Sequence, residues 1–493
     1  MRLPEARPSL ATLIGRALAR DPARPAIEFD GRWHSWGELR RWAEELNERL
    51  AESGIAADAP VAFVPRNRPV AIAALLGMLA TGRTVRMIYA FQSAEGVARD
   101  IARLAAAAVV LHDEDFAAPV EAAIHAAQIG AILLGDDAVR LAACCGPGAT
   151  SRPSPEPAIE ILTSGTTGPP KQFPIAQKMI AEHYIGAAAL DEDAQAAAAT
   201  APPTLLYFPL GNISGIYSTI PPLVRGQRAC LLDRFSIERW RDYVVRHRPA
   251  HSGIPPASMR ALLEADVPPE DLASLKAMGL GAAPLDPALQ AAFEDRYGIP
   301  ILQSYGATEF GGPVCAWTPE LHARWGRARL GSVGRAMPGA KLRVVDPEDG
   351  HELPAGAEGL LEVVSPRIGE HWIRTADIGV IDADGFLFLR GRADGAIIRG
   401  GFKLLPETIE RALLLHAAVA EAVVVAVPDA RLGQVPGAAV RLAGDSSPAE
   451  LEAHLRRELP ATHIPVHWRV CESLPRNASM KLDRPAIRQL FNA

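Results

Sequence analysis

The stretch Ile159-Glu160-Ile161-Leu162-Thr163-Ser164-Gly165-Thr166-Thr167-Gly168-Pro169-Pro170-Lys171 decides how the chain is read. Four strand-like residues run into a turn that carries four hydroxyl side chains, two glycines, two prolines and a closing lysine. Such a loop offers backbone N–H groups, hydroxyl donors and one ammonium to a polyphosphate. It is not the common P-loop, which requires Gly-Lys-Ser/Thr five residues after the first glycine; here Pro170 stands five after Gly165. Nor is there a dinucleotide fingerprint, because Gly279-Leu280-Gly281 continues to Pro284 where a third glycine is needed.

Working outward from this loop, the chain of 493 residues exceeds a single ordinary core and predicts two or more domains. With 48% apolar and 22% charged residues it has the composition of a globular enzyme. The net charge of -6 is spread along the chain, with no basic block to bind nucleic acid and no acidic tail. The five cysteines form no C-x-x-C pair, and adjacent Cys144-Cys145 read as incidental, so a reducing, cytoplasmic compartment is expected. The start, with Arg2, Glu5 and Arg7, has no apolar run of a signal peptide. The longest apolar stretch, Val70 to Ala80, is too short to span a bilayer.

Up to about residue 330 short apolar runs alternate with helical patterns. Ala26 to Phe29 before Gly31 reads as a hairpin edge. Ser35 with Glu38 opens an amphipathic helix carrying Leu39, Trp42, Leu46 and Leu50. Val61 to Val64, Val109 to Leu111, Ala131 to Leu134, Leu205 to Phe208, Ala229 to Leu232 and Ile301-Leu302 read as strands, and Val70 to Leu79 as a helix stopped by Gly82. This alternation predicts an α/β architecture with mostly parallel sheets. From about Gly331 strand-like runs separated by Asp346-Pro347 and Asp384-Gly385 predict a β-rich subdomain over 331–391. The last hundred residues, with helices from Pro406 and Ala449 and strands at Val423 to Val427 and Pro436 to Leu442, predict a small α+β domain.

Four further motifs follow the loop in order: Ser304-Tyr305-Gly306-Ala307-Thr308-Glu309; Trp372-Ile373-Arg374-Thr375-Ala376-Asp377; Gly391-Arg392-Ala393-Asp394 running on to Arg399-Gly400-Gly401-Phe402-Lys403; and Leu474-Pro475-Arg476-Asn477-Ala478-Ser479-Met480-Lys481. Together with the loop they resemble the adenylate-forming superfamily of acyl-CoA synthetases, peptide-synthetase adenylation domains and luciferases. The resemblance covers essentially the whole chain. It implies a large N-terminal domain over 1–391, with α/β subdomains over 1–330, and a mobile C-terminal domain over 392–493. It implies ATP, Mg²⁺ and coenzyme A as cofactors and a reaction in two steps, through an acyl-adenylate to a thioester.

Residue by residue, the resemblance gives Thr163, Ser164, Gly165, Thr166, Thr167, Gly168 and Lys171 to the β- and γ-phosphates. Gly281, Ala282, Ala283, Ser304, Tyr305, Gly306 and Ala307 are placed among the cofactor-binding residues, with Tyr305 stacking on the adenine and Gly281, Ala282 and Ala283 also lining the pocket. Thr308 goes to the α-phosphate and Glu309 to Mg²⁺, a hard cation that prefers oxygen ligands. Asp377 and Arg392 go to the ribose, Asp394 to the hinge, and Gly400, Gly401 and Phe402 to the passage of the pantetheine arm. Lys481 becomes the catalytic cation that bridges carboxylate and α-phosphate. The substrate pocket is implied at Asn212, Gly281, Gly306, Gly311 and Gly312. A neutral Asn212 disfavours an amino-acid substrate, and small walls favour an aromatic or bulky apolar carboxylic acid. The chain departs from the family pattern at Gln172, Ala376, Gly395 and Met480. The expected activity is a carboxylate–CoA ligase, monomeric or homodimeric. The alternatives are an acyl-adenylate ligase loading a separate carrier protein and a degenerate acyl-adenylate binder.

Overall fold

The computed structural model describes residues 7–143, 154–163, 171–186, 191–281, 283, 285–399, 402–429, 431–477 and 481–491. The chain divides into two compact units, one of Met1–Ile254 with Ser258–Gly279 and one of Pro255–Ala257 with Leu280–Ala493.

The first unit contains β1 (Pro25–Phe29), β2 (Arg32–Ser35), β3 (Val61–Val64), β4 (Val85–Met87), β5 (Ala108–His112), β6 (Gly130–Leu134), β7 (Val139–Ala143), β8 (Ala158–Thr163), β9 (Lys171–Ala176), β10 (Thr204–Leu206), β11 (Ala229–Leu231), β12 (His251–Gly253) and β13 (Ala277–Leu280). Seven of these form one sheet in the order β7-β6-β5-β3-β4-β8-β9. Its five inner strands are parallel and only the outermost pairings, β6–β7 and β8–β9, are antiparallel. The expected parallel α/β architecture is thus present. Strands buried on both faces read as continuous apolar runs, as in Val61-Ala62-Phe63-Val64, which is why they were legible. The helix Pro69–Ala80 is buried on every side and so shows no amphipathic stripe. The helix Trp36–Glu52 opens with the capping box that its sequence predicts: Ser35 Oγ accepts from Glu38 N–H and Glu38 accepts from Ser35 N–H.

A second sheet runs β10-β11-β1-β2. Here the expected hairpin edge is only half right. β1 turns back on β2 through Asp30 and Gly31, both with positive φ, but it also pairs in parallel with β11 and is an interior strand. The partner lies some two hundred residues away, so no local signal marks it. Strands β4, β12 and β13 were not anticipated either, being three or four residues long.

The second unit begins with β14 (Ile301–Ala307), β15 (Gly312–Ala316) and β16 (Arg335–Ala336), paired antiparallel. The β-rich segment is a four-stranded antiparallel sheet of β17 (Lys341–Val345), β18 (Glu358–Val364), β19 (Ile373–Ile381) and β20 (Leu387–Arg392). The last hundred residues build β21 (Ile397–Arg399), β22 (Phe402–Leu404), β23 (Val419–Asp429), β24 (Gly433–Leu442) and β25 (His467–Val470). The alternation within β23 serves two cores. Val424 and Ala426 pack with Ile409, Leu413 and Leu455 of helices Pro406–Leu414 and Pro448–Glu458, while Val423, Val425 and Val427 pack with Leu474 and Ile487.

Candidate active site

In the first unit the two ends of the phosphate-type motif lie on adjacent antiparallel strands. Antiparallel pairing of β8 with β9 runs from Ala158↔Ala176 to Thr163↔Lys171, so the backbones at the two ends of the motif stand opposite each other. Ser164, Gly165, Thr166, Thr167 and Gly168 lie outside the described residues. This strand pairing distinguishes the motif from a strand-to-helix P-loop in geometry as well as in sequence.

Asn212 is the N-cap of helix Ile213–Arg225: its Oδ1 accepts from Gly215 N–H at 2.8 Å. That bond orients the amide and commits its acceptor to the helix, leaving the N–H₂ as the part able to meet a ligand. Immediately upstream, buried Asn67 ties the segment down. Its Nδ2 donates to Phe208 O at 3.2 Å and to Leu232 O at 3.1 Å, and its Oδ1 accepts from Leu210 N–H at 3.1 Å. Nothing in the local pattern Arg66-Asn67-Arg68-Pro69 announced that role, because all three partners are distant in sequence.

In the second unit the predicted nucleotide residues converge. Asp377 on β19 and Arg392 at the end of β20 are register partners, so the strand pairing itself places the carboxylate beside the guanidinium. Arg392 donates to Asp377 Oδ1 at 3.1 Å and makes a two-pronged contact with Asp394, at 3.0 and 2.7 Å. Tyr305, nearly buried on β14, donates its hydroxyl to Asp377 Oδ2 at 2.5 Å. Burial pushes the Tyr305 phenol up, and the adjacent Asp377 charge adds to the effect, so it is a fixed donor at any ordinary pH. The bonds to Asp394, against the cost of burial, raise Arg392 further above its already high value. Thr375, a residue the motif analysis did not single out, accepts from Asp377 N–H at 2.9 Å and donates to Leu361 O at 2.8 Å, fixing the bend that presents the carboxylate.

Thr308 and Glu309 form a single 3₁₀ turn directly after β14, with Glu309 exposed. Lys481 lies in the field of Arg392, Asp377 and Glu309. Desolvation of its ammonium and the like charge of Arg392 lower its pKa, and the two carboxylates oppose the shift. The residue as a whole remains exposed, so the desolvation is local to its charged end. Asn477 closes the loop base: its N–H donates to Lys481 O at 2.7 Å and its Oδ1 accepts from Lys481 N–H at 3.1 Å. Met480 lies outside the described residues. Asp394 sits in a 3₁₀ turn, Ala393–Gly395.

Of the remaining predicted residues, Ala282, Gly400 and Gly401 lie outside the described residues, and of Phe402 only the backbone in β22 is described. Ala283 is exposed, and Ala307 and Gly306 end β14. Gly281 stands against Ser304, whose Oγ would lie 2.8 Å from an added Cβ. The glycines read as pocket walls have backbone reasons of their own. Gly311 and Gly312 adopt φ of +66° and +114°. A Cβ at Gly306 would lie 2.4 Å from Gly312 O. For Gly306, Gly311 and Gly312 the backbone thus accounts for the glycine without reference to a substrate.

Among the described residues no helix is long and apolar enough to cross a membrane. The AMP-binding enzyme family matches residues 14–370, and its C-terminal domain matches residues 408–481. A sulfoacetate–CoA ligase from Cupriavidus necator is 30% identical, covering 98% of this chain and 97% of its own. A fatty acid–[acyl-carrier-protein] ligase from Streptomyces coeruleorubidus is 27% identical over the same shares. The solved o-succinylbenzoate CoA synthetase from Bacillus subtilis, in complex with its acyl-adenylate intermediate, shares the fold with a TM-score of 0.77 over 97% of each chain at 23% identity. The ordered motifs, the fold and these matches lead to one conclusion: the chain belongs to the AMP-binding enzyme family.

Proposed function

We propose that this protein is an ATP- and Mg²⁺-dependent carboxylate–CoA ligase. The observation that carries the reading is the hydrogen-bonded set of Tyr305, Asp377 and Arg392 in the second unit, with Lys481 in the electrostatic field of Arg392, Asp377 and Glu309. Together these residues supply an aromatic face, a ribose-binding carboxylate, an exposed carboxylate and a cation. The reading is supported by a relative named as a CoA ligase over nearly the full chain. The matched ranges 14–370 and 408–481 support an N-terminal domain over 1–391 and a C-terminal domain over 392–493, and the resemblance assigns Asp394 to the hinge.

In the first step a carboxylate oxygen bonds to the α-phosphorus of ATP, the bond from that phosphorus to the bridging oxygen of the β-phosphate breaks, and pyrophosphate leaves. Two anions must approach each other, and the Lys481 ammonium offsets that repulsion. Asp377 accepts from the ribose hydroxyls, Tyr305 lies along the adenine, Thr308 donates to the α-phosphate, and Thr163, Ser164, Thr166, Thr167 and Lys171 hold the outer phosphates. Glu309 fits Mg²⁺, since that ion is held by one or two carboxylates together with substrate phosphates. Bound there, it would neutralise phosphate charge. In the second step the thiol of coenzyme A loses its proton to solvent, its sulfur bonds to the acyl carbon, the bond from that carbon to the phosphate oxygen breaks, and AMP leaves with the electron pair. Gly400, Gly401 and Phe402 would border the pantetheine arm.

The acid class is proposed as aromatic or bulky apolar, and the relative named as a sulfoacetate–CoA ligase adds small anionic acids to the panel. Asn212 is neutral and its oxygen already accepts from the helix cap, so it supplies no carboxylate to pair with an ammonium group, which supports an acid without one. A second reading, transfer to a carrier-protein thiol, draws on the carrier-protein ligase relative. Pyrophosphate release measured over a panel of both acid types, with and without coenzyme A, tests the proposal. Carboxylate-dependent release that rises with coenzyme A is the expected result. Release indifferent to coenzyme A favours the carrier protein, and failure of every acid would overturn the ligase reading.

A further inference from the structure

A second cluster of chemistry-bearing side chains lies within the first unit, unconnected to any residue assigned above. Glu28 on β1 and Cys230 on β11 are register partners in a parallel pair, which puts the carboxylate and the thiol on the same face of the sheet, side by side. His247 is the last residue of helix Ile237–His247 and reaches the same point. The three ligand atoms form a closed triangle: Cys230 Sγ to Glu28 Oε2 3.4 Å, Cys230 Sγ to His247 Nε2 3.4 Å, and His247 Nε2 to Glu28 Oε2 3.1 Å. Glu28 and Cys230 are both buried, with 4% exposure each.

Hydrogen bonding cannot satisfy this triangle. A neutral thiol brings one proton to the cluster and Nε2 of a neutral imidazole at most one, so at least one of the three edges has no proton of its own, whichever tautomer His247 adopts. A cation at the centre satisfies all three edges at once. Zinc bonds of about 2.3 Å to sulfur and about 2.1 Å to nitrogen and oxygen at tetrahedral angles place the ligand atoms about 3.4–3.6 Å apart. The observed edges approach those lengths before any ion draws on them. Arg246 donates to the other carboxylate oxygen, Oε1, at 2.7 Å, and is itself held by Asp242 at 2.8 Å. It thereby orients Glu28 and leaves Oε2 as the ligand atom. His247 is more exposed than Glu28, with 17% of its side chain open against 4%, so an ion would enter past its ring and a water would complete a fourth position.

We propose that Glu28, Cys230 and His247 bind one zinc-type divalent ion that ties β1, β11 and the end of helix Ile237–His247 together. A donor set of one thiolate, one imidazole and one carboxylate selects zinc or cobalt over the hard cation of the nucleotide site.

The test uses the full-length protein, stripped with a chelator and titrated with Co²⁺ as an optical probe. The expected result is one equivalent bound with a near-ultraviolet thiolate-to-cobalt band and visible bands of a tetrahedral ion. Cys230→Ser should abolish the thiolate band, whereas a Cys144→Ser/Cys145→Ser double variant should keep it. If Cys230→Ser does not fold, as judged by circular dichroism, His247→Gln at the rim takes its place and should weaken Co²⁺ binding about tenfold or more. A folded wild-type protein giving no thiolate band, a band that survives Cys230→Ser, or unchanged affinity in His247→Gln would each overturn the site.

Discussion

Replacing Gly306 by alanine tests whether the glycines around the nucleotide site serve the backbone or the substrate. An alanine Cβ there would lie 2.4 Å from Gly312 O, 2.5 Å from Pro313 Cα and 2.6 Å from Gly312 C, all backbone atoms that cannot swing away. Ordinary contact begins near 3.4 Å, so β14 and β15 would have to part by about 1 Å. Ladder bonds stretched that far are lost at about 0.5–1.5 kcal/mol each. Adding overpacking strain of about 1–3 kcal/mol gives a total near 3 kcal/mol. For a unit of this size each kcal/mol lowers the melting temperature by about 2–4 °C. Gly306→Ala should therefore melt about 6–12 °C below the parent by scanning calorimetry.

Gly211→Ala is the matched control. Its Cβ would meet Ile88 O and Pro65 Cγ at 3.5 Å, an ordinary contact, and it should change stability by less than about 1 kcal/mol. Both variants are then assayed for pyrophosphate release over the acid panel. If Gly306→Ala kept the parent's melting temperature while its preferred acid became smaller, the glycine would be there to make room for substrate, and the steric argument would be refuted.

Two further predictions concern charge. Lys481→Ala should lower acyl-adenylate formation, measured as ATP–pyrophosphate exchange, by at least about 150-fold, the equivalent of roughly 3 kcal/mol of transition-state stabilisation. It should spare thioester formation from supplied acyl-adenylate, and equal loss in both halves would remove the role given to the lysine. Glu362 is flanked across the strands by Arg343 and Arg374, its register partners, at 2.7–3.0 Å. Burial alone would raise its pKa, but the two guanidinium groups outweigh burial and hold it below the ordinary glutamate value. A carboxylate with a depressed folded-state pKa adds stability that is present at neutral pH and lost as pH falls through that depressed value. Glu362→Gln should thus cost about 2 kcal/mol by urea unfolding at pH 7, with the gap to the parent closing only below about pH 4. A gap independent of pH would refute the ion-pair account.

The sequence by itself determined the parallel α/β core, the capped helix from Trp36, the β-rich segment and the α+β end. It could do so because burial on one or both faces writes itself into local periodicity, as in Val61–Val64 and Val423–Val427. It also named Tyr305, Asp377, Arg392, Glu309 and Lys481, through motifs whose order is local. What only the tertiary structure decided are relations between residues far apart in the chain. Asp377 is held by Tyr305, Arg392 and Thr375 together. The acceptor of Asn212 belongs to a helix cap, and Asn67 pins a segment some 140 residues away. β1 is an interior strand because β11 pairs with it, and that same register brings Glu28 to Cys230. Pairing register and approach distance depend on where the backbone goes after long excursions, and a linear pattern of side chains does not encode them.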